Sequence, residues 1–201
     1  KIGYVTFINQ TIKIRIKYLE ICTIKITKKM KTDIEINEKD IIEASPKGMD
    51  EFIKVFTNKY KEVIGDSFNT ESMSLLNGKQ HTLLAYEILR DEVLEGGFCQ
   101  LIQNGYGSYI FDNPFAKAMR LWGLQEFSKL IYKAKKIYDN NKADLERERT
   151  DDEFMAMYES YEQFDDLEDT FIENEEEITA HIAHFVDEHI EDFAKIVKLC
   201  V

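Results

Sequence analysis

Six carboxylates, Asp152, Glu159, Glu162, Asp166, Asp169 and Glu173, follow one another at steps of 7, 3, 4, 3 and 4 residues. Such steps keep side chains on one face of an α-helix, so a continuous helix over 152–173 would carry them as a row about 32 Å long. A B-DNA strand presents about nine phosphates over that length. With Asp165, Glu168 and the cluster Glu175, Glu176 and Glu177 beside it, the row comes within a factor of about two of that linear charge density. Its chemistry would be to attract lysine and arginine. Holding like charges together costs stability, and a surface built for solubility alone intersperses lysines. The plainer alternative is a solvated helix face, with the 175–177 cluster favoured by the dipole at a helix N-terminus.

Other side chains suggest other chemistry. Glu92, Glu95, Gln100 and Asn104 would make a polar pocket for acid/base work, but no second group of carboxylate, His or Lys at motif spacing accompanies them. His181, His184 and Glu188 share a helix face without the His-Glu-x-x-His arrangement of a metal site. A helical wheel sets them with Glu177 and Glu191 on the outer face and His189 on the apolar side. We therefore expect no metal, no cofactor and no catalytic residue. Cys22, Cys99 and Cys200 have no ligand or redox spacing and cannot all pair, which suits structural thiols in a reducing compartment. The aromatics Phe154, Tyr158, Tyr161, Phe164 and Phe171, and Trp122 beside Gly123, read as packing groups.

The charge is unevenly placed. The 201 residues hold 26 bases and 38 acids, a formal net charge of −12. Residues 1–29 carry seven bases against one acid, residues 139–192 carry 21 acids against three bases, and the rest is neutral. An acidic body repels nucleic acid and anionic membrane, so direct DNA binding is not expected. No apolar run is long enough for a membrane span or a signal peptide, which points to a cytoplasmic protein. The hydrophobic content of 44% suits a single domain. The basic segment alternates at 12–18 and again at 24–26, as short strands do. We read 1–29 as a basic, β-like extension that either lies upstream of a start at Met30, or forms an ordered accessory hairpin or arm, or is an arm that binds an acidic partner, and 30–201 as one helical domain.

The elements that position the acids are expected to be helical. Asn37 can cap a helix over 38–45 ending before Pro46, and a second helix begins at Asp50 with Phe52, Ile53, Phe56, Tyr60, Val63 and Ile64 inward. A third spans about 79–94 and ends at Gly96-Gly97, followed by a turn over 98–104. Asn113-Pro114 caps a helix over 114–122, and another runs over 124–140. Phe154, Met157, Tyr158, Tyr161, Phe164, Leu167 and Phe171 form an apolar stripe. A last helix is expected after Asn174, burying Ile178, Ile182, Phe185, Val186, Phe193, Ile196 and Val197. The fold class is all-α, a bundle of about eight helices.

The stretch Asp91-Glu92-Val93-Leu94-Glu95-Gly96-Gly97-Phe98-Cys99-Gln100-Leu101-Ile102-Gln103-Asn104-Gly105 resembles the signature of a bacterial helical family named after a DNA-mimic protein, over roughly 75–190. In that signature Asn commonly stands where this chain has Glu95. In architectural terms Gly96-Gly97 lets the chain leave a helix with positive φ, Phe98 plugs the core, and Gln100 and Asn104 tie the next loop. The resemblance implies an all-α fold, no enzymatic activity, and an acidic surface that occupies the DNA-binding face of a helix-turn-helix transcription factor. From the charge pattern we take Asp152, Glu159, Glu162, Asp166, Asp169, Glu173, Glu175 and Glu176 as the partner-binding residues. The expected partner is a basic DNA-binding protein, with a homodimer also open. The competing readings are an immunity or antitoxin-like inhibitor of a basic enzyme or toxin, and an enzyme using the Glu95 region.

Overall fold

The computed structural model describes residues 34–65 and 70–198. The expected strands at 12–18 and 24–26, with Cys22 and Cys200, lie outside the described residues. Strand β1 (Glu35–Asn37) leads directly into α1 (Glu38–Ala44), which ends two residues before Pro46. Helix α2 (Met49–Ile64) buries Phe52, Ile53, Phe56, Tyr60 and Ile64, the face its spacing predicts. One turn, α3 (Thr70–Met73), precedes the long α4 (Gly78–Gln103).

Helix α4 starts at a capping box. The Asn77 side chain accepts the N–H groups of Lys79 and Gln80 at 2.8 and 3.1 Å, and Gln80 Oε1 accepts the Asn77 N–H at 2.8 Å. Leu83, Leu84, Tyr86, Leu89, Phe98 and Leu101 of α4 are fully shielded from water. Around it pack α5 (Gly107–Phe111), α6 (Phe115–Leu121), α7 (Gln125–Leu145) and α9 (Asp165–Glu188). Helix α8 (Asp151–Ser160) and a 3₁₀ turn (Glu162–Phe164) join α7 to α9. After α9 come the single turn α10 (Ile190–Phe193) and β2 (Lys195–Val197).

The all-α expectation holds, with ten helices among the described residues because several connections are themselves single helical turns. Three boundaries differ from the sequence reading. Pro114 precedes α6, and Asn113 gives its side-chain amide to the Tyr109 carbonyl at 3.0 Å. No helix starts after Asn174, since α9 passes through it unbroken. Ile196 and Val197 belong to β2, paired parallel to β1 in the register Ile36 to Ile196 and Asn37 to Val197. The chain turns extended at Ala194 because two buried groups grip the preceding carbonyl: the Tyr60 hydroxyl and the Gln80 amide both donate to Phe193, at 3.0 and 2.8 Å.

Candidate protein-binding surface

The glycine pair acts as a hinge. Gly96 and Gly97 interrupt α4 with non-helical backbone, Gly97 at φ 70° and ψ −172°. That φ is one side chains rarely adopt, and a Cβ at Gly97 would run into the Glu168 carboxylate. The hinge exposes polar backbone groups, and the two acidic helices satisfy them. Glu168 Oε1 on α9 accepts the Phe98 N–H at 2.7 Å, and the Tyr158 hydroxyl on α8 donates to the Gly96 carbonyl at 2.9 Å. Phe98 is 0% exposed and meets Phe164, with ring centroids 5.3 Å apart. Gln100 gives its amide to Glu92 and Glu95, both at 3.1 Å, and Asn104 gives its own to Glu92 at 2.8 Å. These four residues therefore latch the hinge, with the amide donors directed at the carboxylates.

Continuous helix over 152–173 is not what forms. Helix α8 stops at Tyr161 (φ −123°, ψ 35°), and the 3₁₀ turn follows before α9 begins. Neither Gly nor Pro causes the break. Tyr161 and Phe164, 8% and 1% exposed, are drawn into the core, and the Tyr161 hydroxyl donates to Asp144 at 2.7 Å. The apolar stripe survives because both helices dock on the same core, whereas the acids divide. Asp152 and Glu159 share a face of α8, Glu162 lies on the turn, and Asp166, Asp169, Glu173 and Glu176 follow one face of α9 over about 15 Å. All seven are exposed.

Glu175 stands apart from that face. It is 9% exposed, paired with Arg90 on α4, and accepts from Thr179 at 2.6 Å. Because the Thr179 proton goes to Glu175, the Tyr86 hydroxyl must be the donor in its 2.6 Å contact with Thr179. Glu168 is likewise turned inward. Burial raises its carboxyl above the ordinary glutamate range, opposed by the Phe98 N–H. Both belong to the series Phe164, Glu168, Phe171, Glu175, Ile178 and Ile182, spaced 4, 3, 4, 3 and 4, so helical spacing places them on the inner stripe.

The three bases of 139–192 are all engaged near the α7–α8 junction. Lys142 pairs with Asp112, Arg147 with Asp144 and Glu153, and Arg149 with Asp144. Hydrogen bonding by Tyr161, followed by the two arginines, holds Asp144 below the usual carboxylate range. Among the described residues, none of the seven exposed carboxylates takes part in an ion pair, and Glu173 and Glu176 stand in mid-helix without help from an N-terminal dipole.

The remaining candidates resolve simply. His181 and His184 are exposed, and His181 Nε2 lies 2.7 Å from the Trp122 carbonyl. His189 is exposed rather than on a buried face, because the helix has ended, and it stacks on Phe185 at 4.3 Å. Among the described residues no group of three His, Cys, Asp or Glu could hold a metal. Cys99 is buried, which pushes its thiol up to about 12. No described helix is long and apolar enough to cross a membrane.

Hinge, inner latch and unpaired outer acids define an acidic helical domain in which one short motif on α4 fixes two negatively charged helices. The chain belongs to the family of DMP19-like proteins, whose model matches residues 74–189, the part that holds the hinge and the acidic helices. It is also 34% identical, over 127 residues, to the DNA mimic protein DMP19 of Neisseria meningitidis serogroup B. That match covers 63% of this chain and 77% of the relative.

Proposed function

We propose that this domain is a non-enzymatic DNA mimic. Its exposed carboxylates occupy the DNA-binding face of a basic cytoplasmic DNA-binding protein, with a helix-turn-helix regulator as the favoured class. The observation that carries the reading is the set of seven exposed carboxylates without ion pairs among the described residues, on two helices and their joining turn that the Gly96-Gly97 hinge fastens in place. The name of the Neisseria relative supports it. Competition would be electrostatic: lysines and arginines that contact phosphates in the operator complex contact Asp152, Glu159, Glu162, Asp166, Asp169, Glu173 and Glu176 instead. Glu175 is left out because Arg90 already neutralises it. Association driven by such a field is fast and falls with salt.

The test is affinity capture from the native host at low salt, followed by competition with DNA. The expected result is a basic DNA-binding protein that DNA displaces, and its loss with Glu162→Lys plus Asp166→Lys. A captured enzyme or toxin with no DNA to displace would favour the inhibitor reading. Capture indifferent to both DNA and salt would reject mimicry.

A further inference from the structure

A groove of about 540 Å³ lies between the start of α7 and the middle of α9. Phe127, Leu130, Leu167 and Ile178 supply its apolar floor. Three polar residues on its α9 side are engaged elsewhere: the Thr170 hydroxyl goes to the Asp166 carbonyl at 2.6 Å, the Asn174 amide to the Thr170 carbonyl at 2.8 Å, and His181 Nε2 lies 2.7 Å from the Trp122 carbonyl. The floor is therefore hydrocarbon, with Gln125 and Glu126 as polar groups at the α7 end. Charge enters only at the rims. Glu177 stands on the α9 side, and by helical geometry Asp166 and Glu173 follow it round the helix towards the acidic face. On the α7 side are Lys129, paired with Glu126 at 2.6 Å, and Lys133.

We propose that this groove takes the apolar stripe of an amphipathic helix on the basic DNA-binding partner, with that helix's lysines and arginines lying along the α9 rim. The inference rests on the mimic reading and adds to it the source of selectivity. Two packed helices with a depression between them are a common receptor for a helical ligand. The charge on the rims fixes its direction: a basic flank is attracted to Glu177, Glu173 and Asp166 and repelled by Lys133. A row of carboxylates attracts any basic surface, whereas an apolar slot beside it favours only partners that bring leucine-like side chains between their cations.

The experiment uses two fluorescent helical peptides of identical charge. Both carry lysine and arginine on one face; the first has leucine at three- and four-residue spacing on the other, and the second has alanine there. At physiological ionic strength the leucine peptide is expected to bind about tenfold more tightly, the value of one well-buried leucine. Thr170→Trp, and separately Asn174→Trp, fill the groove from exposed positions without changing charge. Each should erase the leucine preference and leave the alanine peptide's affinity unchanged, with the fold verified by circular dichroism and melting. Equal binding of the two peptides, binding of neither, or a leucine preference that survives both tryptophans would overturn the proposal. So would a change in solution mass on groove filling, which would assign the groove to a second copy, or a preference that emerges only when residues 1–29 are removed. Failure here leaves displacement by DNA untouched. Conversely, a leucine preference without DNA competition would keep the groove as a docking site and reject mimicry.

Discussion

The Phe98 N–H donates to Glu168 Oε1 at 2.7 Å, joining the hinge of α4 to the first turns of α9. Its stability consequence centres on Gly97. At φ 70° a side chain is strained, and the Cβ would occupy the space of the Glu168 carboxylate. Gly97→Ala should destabilise by about 2–3 kcal/mol, read from the urea midpoint. Glu168→Ala leaves the Phe98 N–H unpaired at about 1–3 kcal/mol, while Glu168→Gln keeps an acceptor and should cost less.

The hinge was legible because two adjacent glycines after a helical pattern have few other uses, and Phe98 beside them could only go inward. The apolar stripe from Phe154 to Phe171 was legible too, since three- and four-residue spacing encodes direction even across a break. The break was not. Tyr161 and Phe164 look the same in a pattern whether they extend a helix or pull it apart, and the difference lies in Phe98 and Asp144, which are distant in sequence. Glu175 divides the two cases. Its place between Phe171 and Ile178, four and three residues away, puts it on the inner stripe although it sits among glutamates, whereas the partner that neutralises it, Arg90, is 85 residues away and outside any local pattern. The strand at Lys195–Val197 is set by pairing with β1 rather than by its own pattern.

Arg90 and Glu175 should respond unequally to neutral replacement. Their side chains are only 18% and 11% exposed. Arg90→Met leaves the Glu175 carboxylate with the Thr179 hydroxyl alone, which should cost about 2–3 kcal/mol after allowing for residual solvent. Glu175→Gln leaves Arg90 near Asp91 at 3.4 Å and Asp50 at 3.9 Å. It should cost about half as much. Denaturant unfolding of both variants would check the asymmetry.

His81 should make stability sensitive to mild acid. Its Nε2 lies 2.8 Å from the Met73 carbonyl, an acceptor only, so Nε2 carries the proton in the neutral ring, and the Tyr109 hydroxyl stands 3.1 Å from Nδ1. Burial holds the pKa below its ordinary value, against the pull of the Met73 carbonyl. The unfolded chain therefore takes up the proton first as pH falls. This contribution is complete above about pH 6.5 and is lost as pH drops from there through the folded value, with a limiting slope of about 1.4 kcal/mol per pH unit. His81→Gln should flatten that limb of a stability profile between about pH 7.5 and 5.5, whatever its effect on absolute stability.

The exposed acids should work against the fold they sit on. Lowering salt from about 0.15 M to about 0.01 M lengthens the Debye screening distance from about 8 to about 30 Å, so repulsion among unpaired carboxylates grows. The melting temperature of the wild type should fall accordingly. Glu173→Lys plus Glu176→Lys, both in mid-helix away from the N-terminal dipole, removes two of those charges and introduces two opposite ones at exposed positions. The doubly substituted chain should melt at or above the wild-type temperature in low salt and show a smaller salt dependence, with each surface change worth at most about 0.5 kcal/mol at moderate salt. Partner binding and stability then move in opposite directions, the signature of a charge pattern kept for recognition. If the same pair lowers the melting temperature at every salt concentration, the carboxylates are holding the fold together, and loss of capture by that variant would say nothing about mimicry.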